Sequence, residues 1–105
     1  MSRIERKTVW DSPAPGPSPR LARMTRHLFA RFQDLGENGP VVRMDQDLGL
    51  VTARFPGREA QQLLKDLEGF GIRAVLVEEQ FQFWMDPEGR FEDLDFLWGC
   101  LFQLM

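Results

Sequence analysis

The chain has one cysteine, one histidine and three serines in 105 residues, and each scarcity removes a class of chemistry. Ser2, Ser12 and Ser18 all precede the part of the chain that reads as a folded body, so a serine nucleophile cannot be assembled there with its base and acid. Cys100 cannot form a disulfide within the chain; it sits in an apolar stretch and reads as a small core hydrophobe suited to a reducing compartment. A zinc or iron centre on His27 would need several carboxylates around one imidazole, and its neighbours in sequence are arginines. No metal, cofactor or catalytic residue is expected.

Phosphate-binding glycine loops are missing as well. Gly36, Gly39 and Gly49 are scattered over turns, and Gly69-Phe70-Gly71 reads as a helix stop entering a strand, the reverse of the strand-to-helix order of a dinucleotide fingerprint. The acidic neighbours Glu78-Glu79, and Asp45 with Asp47, fall in turns where solvation is the ordinary role of a carboxylate. No window approaches the roughly eighteen apolar residues of a membrane span, and Ser2-Arg3-Ile4-Glu5-Arg6-Lys7 lacks the apolar run of a signal peptide, so a cytoplasmic protein without membrane contact is expected.

What is present is an ordinary globular composition, 43% hydrophobic and 28% charged, with an uneven distribution of charge. Residues 1–35 carry a net +4 and residues 36–105 a net −7. A basic segment ahead of an acidic body is expected to pack on that body, or on a partner's, because the acidic surface repels phosphates within a Debye length of about 10 Å. Nucleic acid is not an expected partner.

Residues 11–19, Asp-Ser-Pro-Ala-Pro-Gly-Pro-Ser-Pro, place proline at alternate positions and hold the backbone extended. They make residues 1–19 a proline-rich arm ahead of a single domain over residues 20–105. Trp10 in that arm is expected to be ordered and at least half buried against helical surface. Ser18-Pro19 is an N-cap followed by proline at the first helical position, opening a helix with an apolar stripe at Leu21, Met24, Leu28, Phe32 and Leu35 and with Gly36 as its stop. Its second stripe, Arg20, Arg23, His27 and Arg31, reads as a solvated basic face.

Val41–Met44 and Leu50–Phe55 read as a hairpin around Asp45–Gly49, and Ala60, Leu63, Leu64 and Leu67 give the next helix its apolar face. A second hairpin, Ile72–Val77 and Gln80–Met85, turns near Glu78-Glu79 and places Phe81, Phe83 and Met85 on one face. Asp86-Pro87-Glu88-Gly89 is a turn into a last helix. The order is αββαββα, an α+β two-layer sandwich with a four-stranded antiparallel sheet and helices on one face.

The heaviest apolar load falls on the last fifteen residues. Phe91, Leu94, Leu97, Trp98, Leu101, Phe102 and Met105 follow the three-and-four spacing of one helix face, and Phe96, Cys100 and Leu104 widen it beyond a normal stripe. Such a helix must be covered on more than one side, which points to a second copy of the chain or to one other protein. The expected contact residues are Trp10, Phe81, Phe83, Trp84, Trp98, Phe102 and Met105.

The succession of these elements, with Leu50–Phe55, the Ala60/Leu63/Leu64/Leu67 helix, Gly69-Phe70-Gly71-Ile72 and Arg90-Phe91-Glu92-Asp93-Leu94-Asp95, resembles the small C-terminal domain of fold-type I pyridoxal-phosphate enzymes, the aminotransferase group. The resemblance spans about residues 21–105. It implies the two-layer sandwich, but no catalysis, because the large domain that supplies the cofactor-binding lysine has no counterpart; Lys7 and Lys65 are the only lysines. The arginine that grips the substrate carboxylate in that group would fall within Phe81–Met85, where this chain has no arginine. The expected function is therefore that of a non-catalytic, stand-alone domain of this type acting through protein–protein association, as a homodimer or an accessory subunit. The alternative is an accessory or vestigial module that binds a small anionic ligand or completes a pyridoxal-phosphate enzyme.

Overall fold

A computed structural model describes residues 9–10, 14–35 and 40–104, without the side chains of residues 9 and 10. Helix α1, Pro19–Gln33, starts where Ser18 Oγ accepts the backbone N–H of Leu21 at 3.1 Å, with Pro19 just inside the helix. Its apolar stripe is buried at Leu21, Met24, Leu28 and Phe32, and Asp34 closes its last turn. Gly36, the expected stop, lies outside the described residues.

Strands β2, Val41–Asp45, and β3, Leu50–Arg54, form the first hairpin; β4, Arg73–Val77, and β5, Gln80–Trp84, form the second. The second hairpin turns on two residues, Glu78 and Glu79, both with positive φ, the backbone that matches a two-residue connection to the twist of its strands. Strand β3 pairs with β5, with Val51 opposite Phe83 and Ala53 opposite Phe81, so the two hairpins make one antiparallel sheet in the order β4-β5-β3-β2. Outside β4 lies β1, Val9–Trp10, paired in parallel with Val9 opposite Arg73 and Trp10 opposite Ala74. Two residues of the arm thus join the sheet as a fifth strand, which the four-strand reading missed. The side chain of Trp10 lies outside the described residues, and what the structure gives for it is backbone pairing at a sheet edge.

Between the hairpins, helix α2, Ala60–Gly69, begins at Glu59, whose side chain accepts the N–H of Gln62, and stops at Gly71 with φ +84°. The N–H groups of Gly71 and Ile72 reach back to the carbonyls of Glu68 and Leu67, and Ile72 is buried beside them. Helix α3 is Phe91–Leu104.

Alternation sorts the sheet residues. Val51, Ala53, Phe81, Phe83 and Met85 point to the helical side and join Leu21, Met24, Leu28, Phe32, Leu63, Leu67, Leu94, Leu97 and Leu101 in one core. Phe32 meets Phe83 edge to face at 5.3 Å, and Phe81 stacks parallel to Phe83. The opposite face of the sheet carries Val41, Thr52, Arg54, Gln82 and Val77 and is exposed or only partly covered. The molecule is the expected α+β sandwich with one helical layer.

Candidate interaction surface on the last helix

Helix α3 is held at both ends by arginines from other elements. In the turn before it, Asp86 Oδ1 accepts the N–H of Glu88, while the Arg20 guanidinium donates to the carbonyls of Pro87 at 3.0 Å and Gly89 at 2.6 Å. Glu92 and Asp93 in the first turn suit the positive end of the helix dipole. At the other end, Arg58 Nη1 donates to the carbonyl of Leu104, supplying the cation that the last turn lacks.

Around its circumference the helix divides into three zones. Leu94, Leu97, Cys100 and Leu101 face the core. The shoulder toward α1 carries Phe91, Asp95 and Trp98. Here His27 Nε2 donates to Asp95 Oδ1 at 2.8 Å, Arg31 Nε donates to the same oxygen at 3.0 Å, and the Arg31 guanidinium lies 4.8 Å from the Trp98 ring. Phe91 meets His27 edge to face at 5.3 Å and has Arg20 over its ring. Partial burial raises the Asp95 pKa, but the hydrogen bonds and charges of His27 and Arg31 outweigh it and hold the carboxyl below the ordinary aspartate range. The basic stripe of α1, expected to be solvated, is instead a docking seam at three of its four members, Arg20, His27 and Arg31.

The third zone is the outer surface. Phe102 is 60% exposed and stacks on Trp98 at 5.4 Å with 24° between the rings. On the other shoulder Phe96, Gly99, Cys100 and Gln103, with Phe70 from the end of α2, line a shallow cavity of about 220 Å³. The indole Nε1–H of Trp98 is buried and finds no acceptor among the described residues. The result is an apolar strip, Phe70–Phe96–Gly99–Phe102–Trp98, along the outside of a helix whose inside already lies in the core.

Of the expected contact residues, Trp98 and Phe102 form this strip. Phe81 and Phe83 do not contribute: at 1% and 0% exposure they are core residues, because the parity of β5 turns them under α1 and α2. Trp84, one residue on, has the opposite parity and stands partly exposed on the open sheet face, paired with Leu50. Met105 and the side chain of Trp10 lie outside the described residues. Phe70 and Gly99 were not singled out from the sequence. An unprotected glycine in the middle of an aromatic helix was the available signal for one of them.

No protein-family model matches the sequence, and no curated protein matches it. Among solved structures, a chain titled NifS-like protein is similar, with a TM-score of 0.70 and 13% sequence identity. The match covers 81% of this chain and 27% of that one. The likeness is one of fold, and this chain spans about a quarter of that structure. No helix among the described residues is long and apolar enough to cross a membrane, and no group of three or more His, Cys, Asp or Glu among them is placed to hold a metal ion.

Proposed function

We propose that the chain is a non-catalytic domain of the aminotransferase C-terminal type that works by protein–protein association, as a homodimer or as an accessory subunit, through the outer face of α3. The observation that carries this reading is the Trp98–Phe102 stack, left on the surface with Phe102 60% exposed although the core side of the same helix is fully covered. Burying roughly 500 Å² of such surface contributes on the order of 12 kcal/mol gross, most of it offset by association and ordering, which leaves a contact of micromolar strength. Phe102→Glu tests it: a folded protein that no longer associates supports the reading, and association at undiminished strength contradicts it.

A second reading, a module that takes a small anion, has one observation on its side. Arg54, Arg58 and the backbone at Gly57 line a cavity of about 230 Å³ beside the start of α2. It ranks second because Arg58 already serves the carbonyl of Leu104 and lies 3.7 Å from Asp66, and Glu79 brings a negative charge to the same cavity. Titration with pyridoxal phosphate tests it, since a stoichiometric shift of the cofactor's absorbance band would reverse the order of the two readings.

A further inference from the structure

We infer that the outer edge of β4 is a strand-acceptor site filled in cis by β1, and that β1 leaves it without unfolding the rest, so that an extended peptide running parallel to β4 takes its place. Among the described residues, β1 is joined to the sheet through Val9 opposite Arg73 and Trp10 opposite Ala74 alone. Strands β2 and β3, by contrast, pair along the whole of Val41–Asp45 and Leu50–Arg54. So short an attachment at a sheet edge opens before the strands inside it do.

The edge keeps its shape when β1 leaves. Before Arg73, the N–H groups of Gly71 and Ile72 are tied to the carbonyls of Glu68 and Leu67, and the Ile72 side chain is buried in the core. After Ala74, Val75, Leu76 and Val77 pair with Gln82, Phe81 and Gln80 of β5. Ala74 itself packs against the core. Arg73 and Ala74 are therefore held extended from both sides, and their outward backbone groups form a ready row of donors and acceptors. An acceptor that is already ordered spares an incoming strand the cost of ordering its partner.

The occupant is an extended peptide because that is what the edge already holds, in parallel sense, within a sheet whose other pairings are all antiparallel. Backbone hydrogen bonds supply the affinity in such strand addition. No described strand lies outside Val75–Val77, so a peptide longer than β1 gains pairing there that β1 does not make. That gain offsets the tether that favours β1, whose chain runs on through the proline-rich stretch to α1.

The test reads amide hydrogen exchange by NMR on the full chain, residue by residue, so association through α3 does not enter. The probe is a synthetic peptide of residues 4–10 followed by Thr-Val-Thr. In a chain carrying Val9→Pro and Trp10→Pro, which removes both N–H groups of β1, the amides of residues 73–75 should exchange at least about tenfold faster than in wild type, while those of β3 and β5 stay protected. Adding the peptide should restore that protection saturably, and wild type should need at least about tenfold more peptide, because β1 must leave first. The same peptide N-methylated at the positions of Val9 and Trp10 should bind at least about tenfold more weakly. Undiminished protection in the proline variant would mean that β1 does not fill the edge. Failure of the peptide to restore protection would mean that the edge takes no strand in trans, and equal binding of the N-methylated peptide that the binding is not strand addition. Each of these overturns the inference, as does unfolding of the proline variant. Wild type supplies an independent reading: in dilute urea, exchange at residues 73–75 should proceed by a local opening that depends little on urea. A dependence as steep as that of the β3 and β5 amides would show that β1 leaves only on global unfolding, which also overturns the inference.

Discussion

The ion group on the α1–α3 seam gives the clearest single-residue expectation. Asp95 holds its proton less tightly in the folded protein than in the unfolded chain, so its contribution to stability is fully present above the ordinary aspartate pKa and is lost as pH falls through the lower folded value. Asp95→Asn should therefore cost about 0.5–1 kcal/mol at neutral pH, a modest figure because the carboxylate is partly exposed, and nothing once the medium is acid enough to protonate wild type. Thermal unfolding of both proteins across the acid range checks this; parallel curves with a constant gap would contradict it. Phe83, with no exposed surface and an edge-to-face contact to Phe32, belongs to a different class: Phe83→Ala should cost about 3–5 kcal/mol in urea unfolding. The sequence shows that Phe81 and Phe83 share a face. It does not show which face the helices cover, and assigning these two to an interface was an error of that kind. The His27–Asp95–Arg31 group was half legible, as a histidine and an arginine four apart on one helix, and its acid lies 64 residues beyond Arg31.

The elements themselves follow local signals closely. Ser18-Pro19 opens α1, Gly71 ends α2, and the turn residues between strand-like runs mark both hairpins, with period-two alternation in Gln80–Met85, because in each case neighbouring residues determine the outcome. The connection between β2 and β3 shows how tightly one of these signals is bound to packing. Gly49 has φ +69°, its N–H reaches the carbonyl of Asp45, its carbonyl accepts from Met85, and a Cβ there would fall 2.6 Å from Leu21 Cδ1. Gly49→Ala is therefore expected to cost about 2–3 kcal/mol, strain and clash together. Gly57, with φ +84° but nothing within 4 Å, carries the strain alone, so Gly57→Ala should cost about 1 kcal/mol. Urea unfolding of the pair separates conformation from contact, and equal losses would contradict the distinction. Strand β1 escaped the sequence reading because two residues ahead of a proline-rich run carry no alternation; its place is set by the edge that β4 leaves open.

For the whole molecule, the sandwich architecture was legible because hairpins and amphipathic helices in this order have few ways to cover one another, and the fold of a NifS-like protein shows the same arrangement as about a quarter of a larger chain. The surface that carries the proposed function was legible only as an excess: α3 has more apolar residues than one core can use. Where the excess emerges depends on how α3 packs on α1 and α2, through its core residues and through the contacts of Arg20, Arg58 and the Asp95 group, which join residues far apart in the chain and leave no local pattern. The most direct measurement is sedimentation equilibrium of the wild-type chain through the micromolar range beside Phe102→Glu. The account predicts a concentration-dependent dimer for wild type and a folded monomer for the variant. A wild type that sediments as a monomer at every concentration and captures no other protein through this helix, or a variant that associates as strongly as wild type, would contradict it.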